Sequence, residues 1–173
     1  KSRALNFAIE RSSGELVMCV DADSKLEKDA VELMVRYFKN SEISAVAGSV
    51  FVSNRINVLT KLQALEYIEG LNMVRNAQAY LQLVNIIPGP IGMFRKSAIQ
   101  EVGGYAHDTF AEDCDLTLKL IETNHKIDFE PDAVAHTEAP DELLDLLKQR
   151  YRWTRGILQA IQKHSGSLWN FKN

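Results

Sequence analysis

Two aspartates, one position apart, follow an apolar run near the start of the chain. The run is Leu16 to Val20, and the acids are Asp21 and Asp23 in the stretch DADS. Side chains alternate along a strand, so both carboxylates point the same way if the extended geometry persists. Carboxylate oxygens suit Mg²⁺ or Mn²⁺, particularly an ion that already carries phosphates. The pair indicates a metal–diphosphate site; the alternative is that it caps a helix beginning near Leu26.

A second acidic group consists of Glu112, Asp113 and Asp115, at the start of a helix predicted within 110–122. Carboxylates at this end of a helix complement its dipole, which is a purely stabilising role. A carboxylate in a cleft can instead accept the proton of a hydroxyl that attacks an electrophilic carbon. The residues alone leave both roles open.

The third group is basic and aromatic and lies in LLKQRYRWTRG, residues 146–156. In a helix, Gln149, Arg152 and Trp153 occupy positions i, i+3 and i+4 and share one face. An arginine fork binds phosphate through two hydrogen bonds, and an indole ring stacks on the apolar side of a sugar. The alternative is an amphipathic helix whose arginines only extend over apolar surface.

The order of the elements explains how these groups could meet. Apolar periodicity predicts alternating helices and strands, which imply a layered α/β sheet. The predicted elements are a helix at 2–11, a strand at 15–20, a helix at 27–39 after the cap-like Ser24, a strand at 43–52 and a long helix within 57–83. Ligands bind outside the carboxyl ends of strands in such sheets, where Asp21 and Asp23 lie.

Proline and glycine cluster once, in NIIPGPIGMF, residues 85–94. Pro88 and Pro90 have no amide hydrogen to donate, whereas Gly89 and Gly92 permit close backbone approach. We interpret this stretch as a shaped loop rather than a linker.

Composition limits the classes of function. The 173 residues carry a formal net charge of −3 and fit one domain with its own core. The absence of a basic stripe argues against nucleic acid as a partner. Cys19 and Cys114 have neither metal-ligand spacing nor a disulfide framework, so a reducing compartment is expected. No apolar run reaches the roughly 18 residues that a membrane span needs.

In this order and spacing, the motifs resemble those of the processive family-two glycosyltransferases: the cellulose, hyaluronan, chitin and poly-N-acetylglucosamine synthases. The resemblance covers essentially the whole chain. It rests on KSRALN at 1–6, DADS at 21–24, GPIGMFRKSAIQEVGGY at 89–105, ED at 112–113 and QRYRW at 149–153. It implies a GT-A-type, Rossmann-like fold with helices flanking a mixed sheet, a Mg²⁺ or Mn²⁺ cofactor, and inverting transfer from a UDP-sugar to a β-linked polysaccharide acceptor. N-acetylglucosamine is the favoured sugar, with glucose or the alternating hyaluronan pattern as rivals.

The resemblance also implies roles for individual residues. Asp23 would hold the metal on the diphosphate, Asp21 would help hold the metal or nucleotide, and Asp113 would be the general base. The other implied residues bind the nucleotide sugar (Lys1, Asn6, Gln149 and Arg152) or the acceptor (Gly89, Gly92, Glu112 and Trp153).

The chain departs from the family pattern in two respects. Ala111 precedes Glu112 and Asp113, where the family more commonly has threonine, so the hydrogen bond of a threonine hydroxyl is absent. The strands that cradle the uracil, and the flanking transmembrane helices, are not among residues 1–173. We therefore expect a single partial catalytic domain that is inactive alone and tends to self-associate. Its parent protein is expected in the plasma membrane, with this domain on the cytoplasmic face.

Two other functions account for only part of these features. A two-carboxylate hydrolase would use paired acids but needs neither the D-x-D motif nor the basic-aromatic helix. A noncatalytic GT-A-like module that binds nucleotide sugar or polymer would not need every catalytic carboxylate.

Among the remaining residues, His136 is either a further metal ligand or structural, and Glu138 either supports the acceptor or caps a helix near Asp141. Three histidines are predicted at the surface: His107, His125 and His164.

Overall fold

The structure, a computed structural model, describes residues 1–168. The strands are β1 Leu16–Cys19, β2 Lys25–Leu26, β3 Ile43–Val52, β4 Gly92–Arg95 and β5 Lys126–Thr137. The helices are α1 Ser2–Arg11, α2 Ala30–Tyr37, α3 Val58–Glu66, α4 Val74–Tyr80, α5 Lys96–Glu101, α6 Glu112–Glu122, α7 Leu143–Lys163 and α8 Ser165–Leu168, with a π-helical segment, Tyr67–Met73, joining α3 to α4. Within these residues, no helix has both the length and the apolar character for crossing a membrane.

The five strands form one mixed sheet in the order β1-β4-β3-β5-β2. Strand β3 pairs in parallel with β5 and antiparallel with β4. The outer strands β1 and β2 pair antiparallel with β4 and β5. The predicted α/β fold, with helices flanking a mixed sheet, is confirmed.

Strand β3 lies at the centre of the sheet and is covered on both faces. Val46 and Val50 point into one apolar cluster, with residues of α2 and α3. Ala45 and Ala47 point into another, with residues of α1, α5 and α6. This burial explains why β3 reads as an almost continuous apolar run without polar alternation. The sheet therefore holds two helical layers and carries the loops at its edge.

The long helix predicted within 57–83 is present, but it widens in the middle. It begins with a capping box, in which Asn57 Oδ1 accepts the Thr60 N–H at 2.8 Å. The π-helical segment follows, and its Asn72 side chain bonds both the N–H and the C=O of Val50, at 3.0 and 3.1 Å. The helix is thereby anchored to the end of β3, and π-helical turns of this kind often occur at functional sites.

The helix predicted at 27–39 starts later, at Ala30, because the chain still bonds to β5 at Glu27, whose N–H donates to the Val134 carbonyl at 2.9 Å. Lys25 pairs with His136 and Leu26 with Ala135, a long-range contact that local periodicity does not reveal. The α2 N-cap is Asp29, so the cap-like role predicted for Ser24 is wrong. The aspartates of the DADS stretch likewise cap no helix; they lie in the turn between β1 and β2.

Candidate active site

A cavity of about 240 Å³ lies between the ends of β1 and β3, the loop before β4, the start of α6 and the middle of α7. Nine of the predicted site residues line it: Lys1, Asp21, Asp23, Gly89, Glu112, Asp113, Gln149, Arg152 and Trp153. The fold thus brings together three chemical groups, of which the first and the last are more than 120 residues apart in the sequence.

Two predicted site residues do not line this cavity. The side-chain amide of Asn6 donates to the Tyr105 carbonyl and accepts from the Tyr105 N–H, both at 2.9 Å. Gly92 lies in β4, where it pairs with Cys19 and Ala47 and is buried. Both residues therefore support the elements around the cavity and do not line it.

A lysine joins two carboxylates at the rim of the cavity. Lys1 Nζ lies 2.6 Å from Asp21 Oδ1 and 2.9 Å from Glu112 Oε1. Burial opposes the charge of Lys1, but hydrogen bonds to the two acids outweigh it and raise the lysine pKa. The lysine also lowers the pKa of Glu112, against the effect of burial. The rim is therefore a place where carboxylates draw in a cation.

The donor set at this rim fits a hard divalent cation. Asp21, Asp23 and Glu112 offer carboxylate oxygens, and Asp23 is exposed to incoming ligands. Residues 1–168 contain no group of three acidic, histidine or cysteine side chains already arranged around a metal position. An ion here would draw further oxygen ligands from water or from a bound diphosphate.

Gly89 lies close to the Lys1–Asp21 ion pair at this rim. A Cβ at this position would lie 2.7 Å from Asp21 Oδ2 and 3.1 Å from Lys1 Nζ. A side chain would therefore displace the ion pair. The loop is fixed on its other side by the Ile87 N–H, which donates to Thr117 Oγ1 of α6 at 3.0 Å.

Asp113 faces the cavity from the first turn of α6 with few partners. Its Oδ1 accepts the Cys114 N–H at 2.8 Å, and residues 1–168 supply no ion-pair partner. Burial raises the pKa of Asp113, the Cys114 hydrogen bond opposes this, and the negative charge of Glu112 adds to the rise. A carboxylate with a raised pKa and a free oxygen is suited to accept a proton.

Asp115, two residues further on, points into the protein. It is fully buried and contacts Lys163 at 2.9 Å, His164 at 3.1 Å and Lys119 at 3.3 Å. Burial alone would raise the pKa of Asp115, but the hydrogen bonds from Lys163 and His164 outweigh it and lower that pKa. Of the second acidic group, this carboxylate has the stabilising role.

The surface prediction is wrong for two of the three histidines. His164 is buried, and its Nδ1 lies 2.8 Å from Glu122 Oε2. His125 is half-buried, with Nδ1 2.8 Å from Ser44 Oγ. Only His107 is exposed. Both misplaced histidines have polar partners distant in sequence, which a local reading could not supply.

Some basic residues of helix α7 form ion pairs with acidic side chains, and another lines the cavity. Arg150 pairs with Glu66 at 2.6 Å and lies over the Trp153 ring, 4.3 Å from its centroid. Lys148 pairs with Asp145. Arg152 lines the cavity, as do Gln149 and Trp153, so the predicted common face exists.

A second close approach seats α7 against the start of α6. A Cβ on Gly156 would lie 2.6 Å from the Ala111 backbone nitrogen. Only glycine lets the helix pack against the residue that precedes Glu112 and Asp113. Ala111, which stands where the family more commonly has threonine, is therefore buried in a crowded position.

Of the two other candidate residues, His136 and Glu138, only Glu138 lines the cavity. His136 Nε2 lies 2.9 Å from Glu27 Oε1 and does not line the cavity. Glu138 does line it, and it caps no helix, because the N-cap of α7 is Glu142. The residue that sequence analysis missed is Arg75, a buried arginine of the cavity wall. Its signal was a charge on the otherwise apolar face that contains Tyr67 and Leu71, four residues apart.

Solved structures share this fold. A mannosyltransferase from Pyrobaculum calidifontis, in complex with GDP-Man and Mn²⁺, aligns with a TM-score of 0.75 at 22% identity, over 94% of this chain and 43% of its own. Glucosyl-3-phosphoglycerate synthase from Mycobacterium tuberculosis, with Mn²⁺, UDP-glucose and phosphoglyceric acid, aligns with a TM-score of 0.61 at 15% identity, over 96% and 55%. Staphylococcus aureus TarS 1–349, in complex with UDP-GlcNAc, gives 0.58 at 14%, over 82% and 40%.

Curated sequences are more similar. Poly-beta-1,6-N-acetyl-D-glucosamine synthase of Staphylococcus epidermidis is 35% identical over 157 residues, which are 90% of this chain and 38% of the relative. The synthase of the same name from Staphylococcus aureus matches to the same extent. The chain therefore spans well under half the length of these relatives. The model of the family described as "Glycosyl transferase family group 2" matches residues 16–172, so the chain belongs to that family.

Proposed function

We propose that the chain is the metal, acceptor and base part of an inverting transferase that moves N-acetylglucosamine from UDP-N-acetylglucosamine to a growing β-linked polysaccharide. One observation carries this proposal: a single cavity combines a cation-attracting acidic rim with a lone, cavity-facing carboxylate, Asp113. The identity to poly-beta-1,6-N-acetyl-D-glucosamine synthases supports the choice of sugar.

The donor would bind at the acidic rim. Asp23 and Asp21 would hold Mg²⁺ or Mn²⁺, which would neutralise the charge that develops on the leaving diphosphate. The Mn²⁺ in the mannosyltransferase neighbour supports this role. Arg152 and Gln149 line the same cavity and could bind phosphate oxygens, while Lys1 would exchange its acidic partners for the diphosphate. Asn6 would act at a distance, by keeping α1 against the Tyr105 backbone.

The acceptor would approach Asp113. Its terminal hydroxyl oxygen forms a bond to the anomeric carbon as the bond from that carbon to the diphosphate oxygen breaks on the opposite face. The hydroxyl proton passes to the Asp113 carboxylate, and the electron pair of the broken bond leaves with UDP. Trp153 offers an apolar surface for a sugar ring, and Gly89, Glu112 and Glu138 complete the wall, with Gly92 in the supporting strand.

We further propose that the chain functions within a longer protein, in the plasma membrane, with this domain on the cytoplasmic face. Large apolar side chains exposed on α3 and α7 support an apolar neighbour: Leu62, Leu65, Leu143, Leu144 and Leu147. Self-association of the isolated chain would follow from the same surface. Fractionation of cells that express the parent protein, with protease protection of this domain, tests the location.

The transferase proposal is tested with the full-length parent protein. We expect membranes that contain it to convert UDP-N-acetylglucosamine into a polymer and UDP in the presence of Mn²⁺, and we expect competing UDP-glucose to leave the product composition unchanged. The matched control is Asp113→Asn, which should retain UDP binding. UDP-dependent thermal stabilisation with no polymer, under every donor tried, would instead identify a noncatalytic nucleotide-binding module.

A further inference from the structure

Arg75 of α4 is almost completely buried, yet its guanidinium is not fully paired. The residue is 4% exposed and lines the cavity. One nitrogen, Nη1, donates to the Leu71 carbonyl at 3.0 Å. Nε finds no partner among the residues that the structure describes. A buried donor of a charged group that stays unpaired costs folding free energy, so Arg75 Nε would gain a hydrogen bond from an acceptor group that enters the cavity.

The placement of Arg75 follows from the shape of its helix. Tyr67, Leu71 and Arg75 are spaced four residues apart, and all three line the cavity. Asp113 lines the same cavity, and its negative charge partly offsets the effect of burial on the pKa of Arg75. Arg75 is therefore within electrostatic reach of the lone carboxylate.

A structural ion pair does not explain Arg75. Asp113 is the acid whose charge acts on the guanidinium, but the two form no ion pair within 4.0 Å. Burial lowers the pKa of Arg75 to about 10, so the residue still carries its charge at neutral pH. A guanidinium that stays charged without a carboxylate contact remains free to donate to a ligand.

An unpaired acceptor lines the same cavity. Gln149 Oε1 is buried and has no hydrogen-bond partner among residues 1–168. The side-chain NH₂ of Gln149 can donate to a phosphate, but Oε1 still needs a donor. Sugar hydroxyl and acetamido groups can supply a donor as well as an acceptor, whereas a phosphate at neutral pH mainly accepts.

We propose that Arg75 is a substrate-binding residue that donates hydrogen bonds to an oxygen of the terminal acceptor sugar, beside Asp113. This inference rests on the proposed transferase function and adds a residue that no motif identifies. Arg75 would fix the sugar so that its attacking hydroxyl faces the carboxylate. Binding would also satisfy a donor that the free protein leaves unpaired.

The test uses the full-length protein with a β-1,6-linked N-acetylglucosamine trimer as the acceptor probe. Arg75→Met keeps the aliphatic stem and removes every donor, and Arg75→Lys keeps the charge but removes the planar fork. Loss of a charge-assisted hydrogen bond predicts a rise of about 10-fold or more in acceptor KM for Arg75→Met, and a smaller rise for Arg75→Lys. UDP affinity in the presence of Mn²⁺ should stay within about 2-fold of the parent value.

Arg95→Lys is the matched control. Arg95 is also an arginine with a partly buried side chain, but it donates only to the backbone carbonyls of Phe38, Asn40 and Ile43. We expect this control to lower the melting temperature and leave acceptor KM unchanged. Parent acceptor KM in both Arg75 variants, or a matching loss of UDP affinity, would overturn the proposal.

Calorimetric binding of the trimer to the UDP-bound protein keeps the two proposals apart. It compares parent and Arg75→Met without requiring turnover. Failure of the parent to make polymer would overturn the transferase proposal alone. Equal trimer affinity in parent and variant would overturn the role of Arg75, even if the parent is fully active.

Discussion

Helix α6 carries one aspartate on the face that lines the cavity and another on the face that packs against α7, and the two faces shift the aspartate pKa in opposite directions. Asp113 faces the cavity with one backbone hydrogen bond, and its pKa is raised. Asp115 faces α7 with two lysines and a histidine, and its pKa is lowered. Two residues along one helix thus separate a carboxylate available for chemistry from one committed to stability. The sequence motif contains both, and only the packing of α7 distinguishes them.

The largest expected effect is on the cavity face. Asp113→Asn should reduce kcat of the intact enzyme by about 10²-fold or more, because an amide cannot accept the acceptor proton in the transition state. UDP affinity should remain near the parent value. Radiolabelled sugar incorporation and UDP titration measure the two quantities. An equal loss of UDP binding would place Asp113 in the donor site and would remove the contrast in function.

The packed face should respond in stability instead. Asp115→Asn removes the charge that faces Lys163, Lys119 and His164. Breaking a buried pair is costly, but both lysines can regain water, so we expect a loss of about 2–3 kcal/mol in unfolding free energy. For a chain of this size, that corresponds to a melting temperature lower by roughly 5–10 °C. A variant as stable as the parent would show that the ion cluster contributes nothing.

Asp23 extends the comparison to a carboxylate that is exposed. Asp23→Asn should weaken UDP binding in the presence of Mn²⁺ by about 10-fold, since an amide oxygen is a poorer ligand for a hard cation than a carboxylate. Melting temperature without ligand should be unchanged, because the side chain lies in an exposed turn. Calorimetric titration with and without Mn²⁺ measures the effect. Identical titrations of variant and parent would contradict the metal role.

Local patterns predicted the central elements well, for a physical reason. Strand β3 has the predicted bounds of 43–52 because it is buried on both faces and its apolar run is uninterrupted. Helix α1 also has its predicted bounds. Strand β2 was missed because two residues carry no periodicity, and it exists only through its pairing with β5. Elements that depend on a distant partner escape a local reading.

The site divides along the same line. Asp21, Asp23, Asp113, Gln149 and Arg152 follow from motif and spacing, and all line one cavity. Arg75 stands out in the sequence only as a charge four residues after Leu71, and its burial in the cavity wall depends on tertiary packing that local patterns do not show. The contrast between Asp113 and Asp115 was also hidden, since the lysines and histidine that pair with Asp115 come mainly from the far end of α7 and beyond.

The smallest expected effect is the most direct test of the contrast, because it gives the two aspartates opposite signs. A raised folded-state pKa means that Asp113 adds stability below the ordinary carboxyl pKa and loses it as pH rises through the raised value. The folded-state pKa of Asp115 is lowered, so this carboxylate adds stability above the ordinary carboxyl pKa and loses it as pH falls through the lowered value. An amide cannot titrate, so each substitution removes its own pH dependence.

At neutral pH, Asp113→Asn should therefore raise the melting temperature by roughly 1–3 °C, and this gain should vanish as the pH falls toward about 4. The deficit of Asp115→Asn should be largest at neutral pH and should shrink over the acid range. Thermal melts of parent and both variants across the same pH series measure the two differences, with metal and nucleotide omitted so that only the protein's own groups titrate. If both variants are destabilised with the same pH dependence, the two faces of α6 do not differ electrostatically, and Asp113 loses its distinction as the carboxylate held ready for a proton.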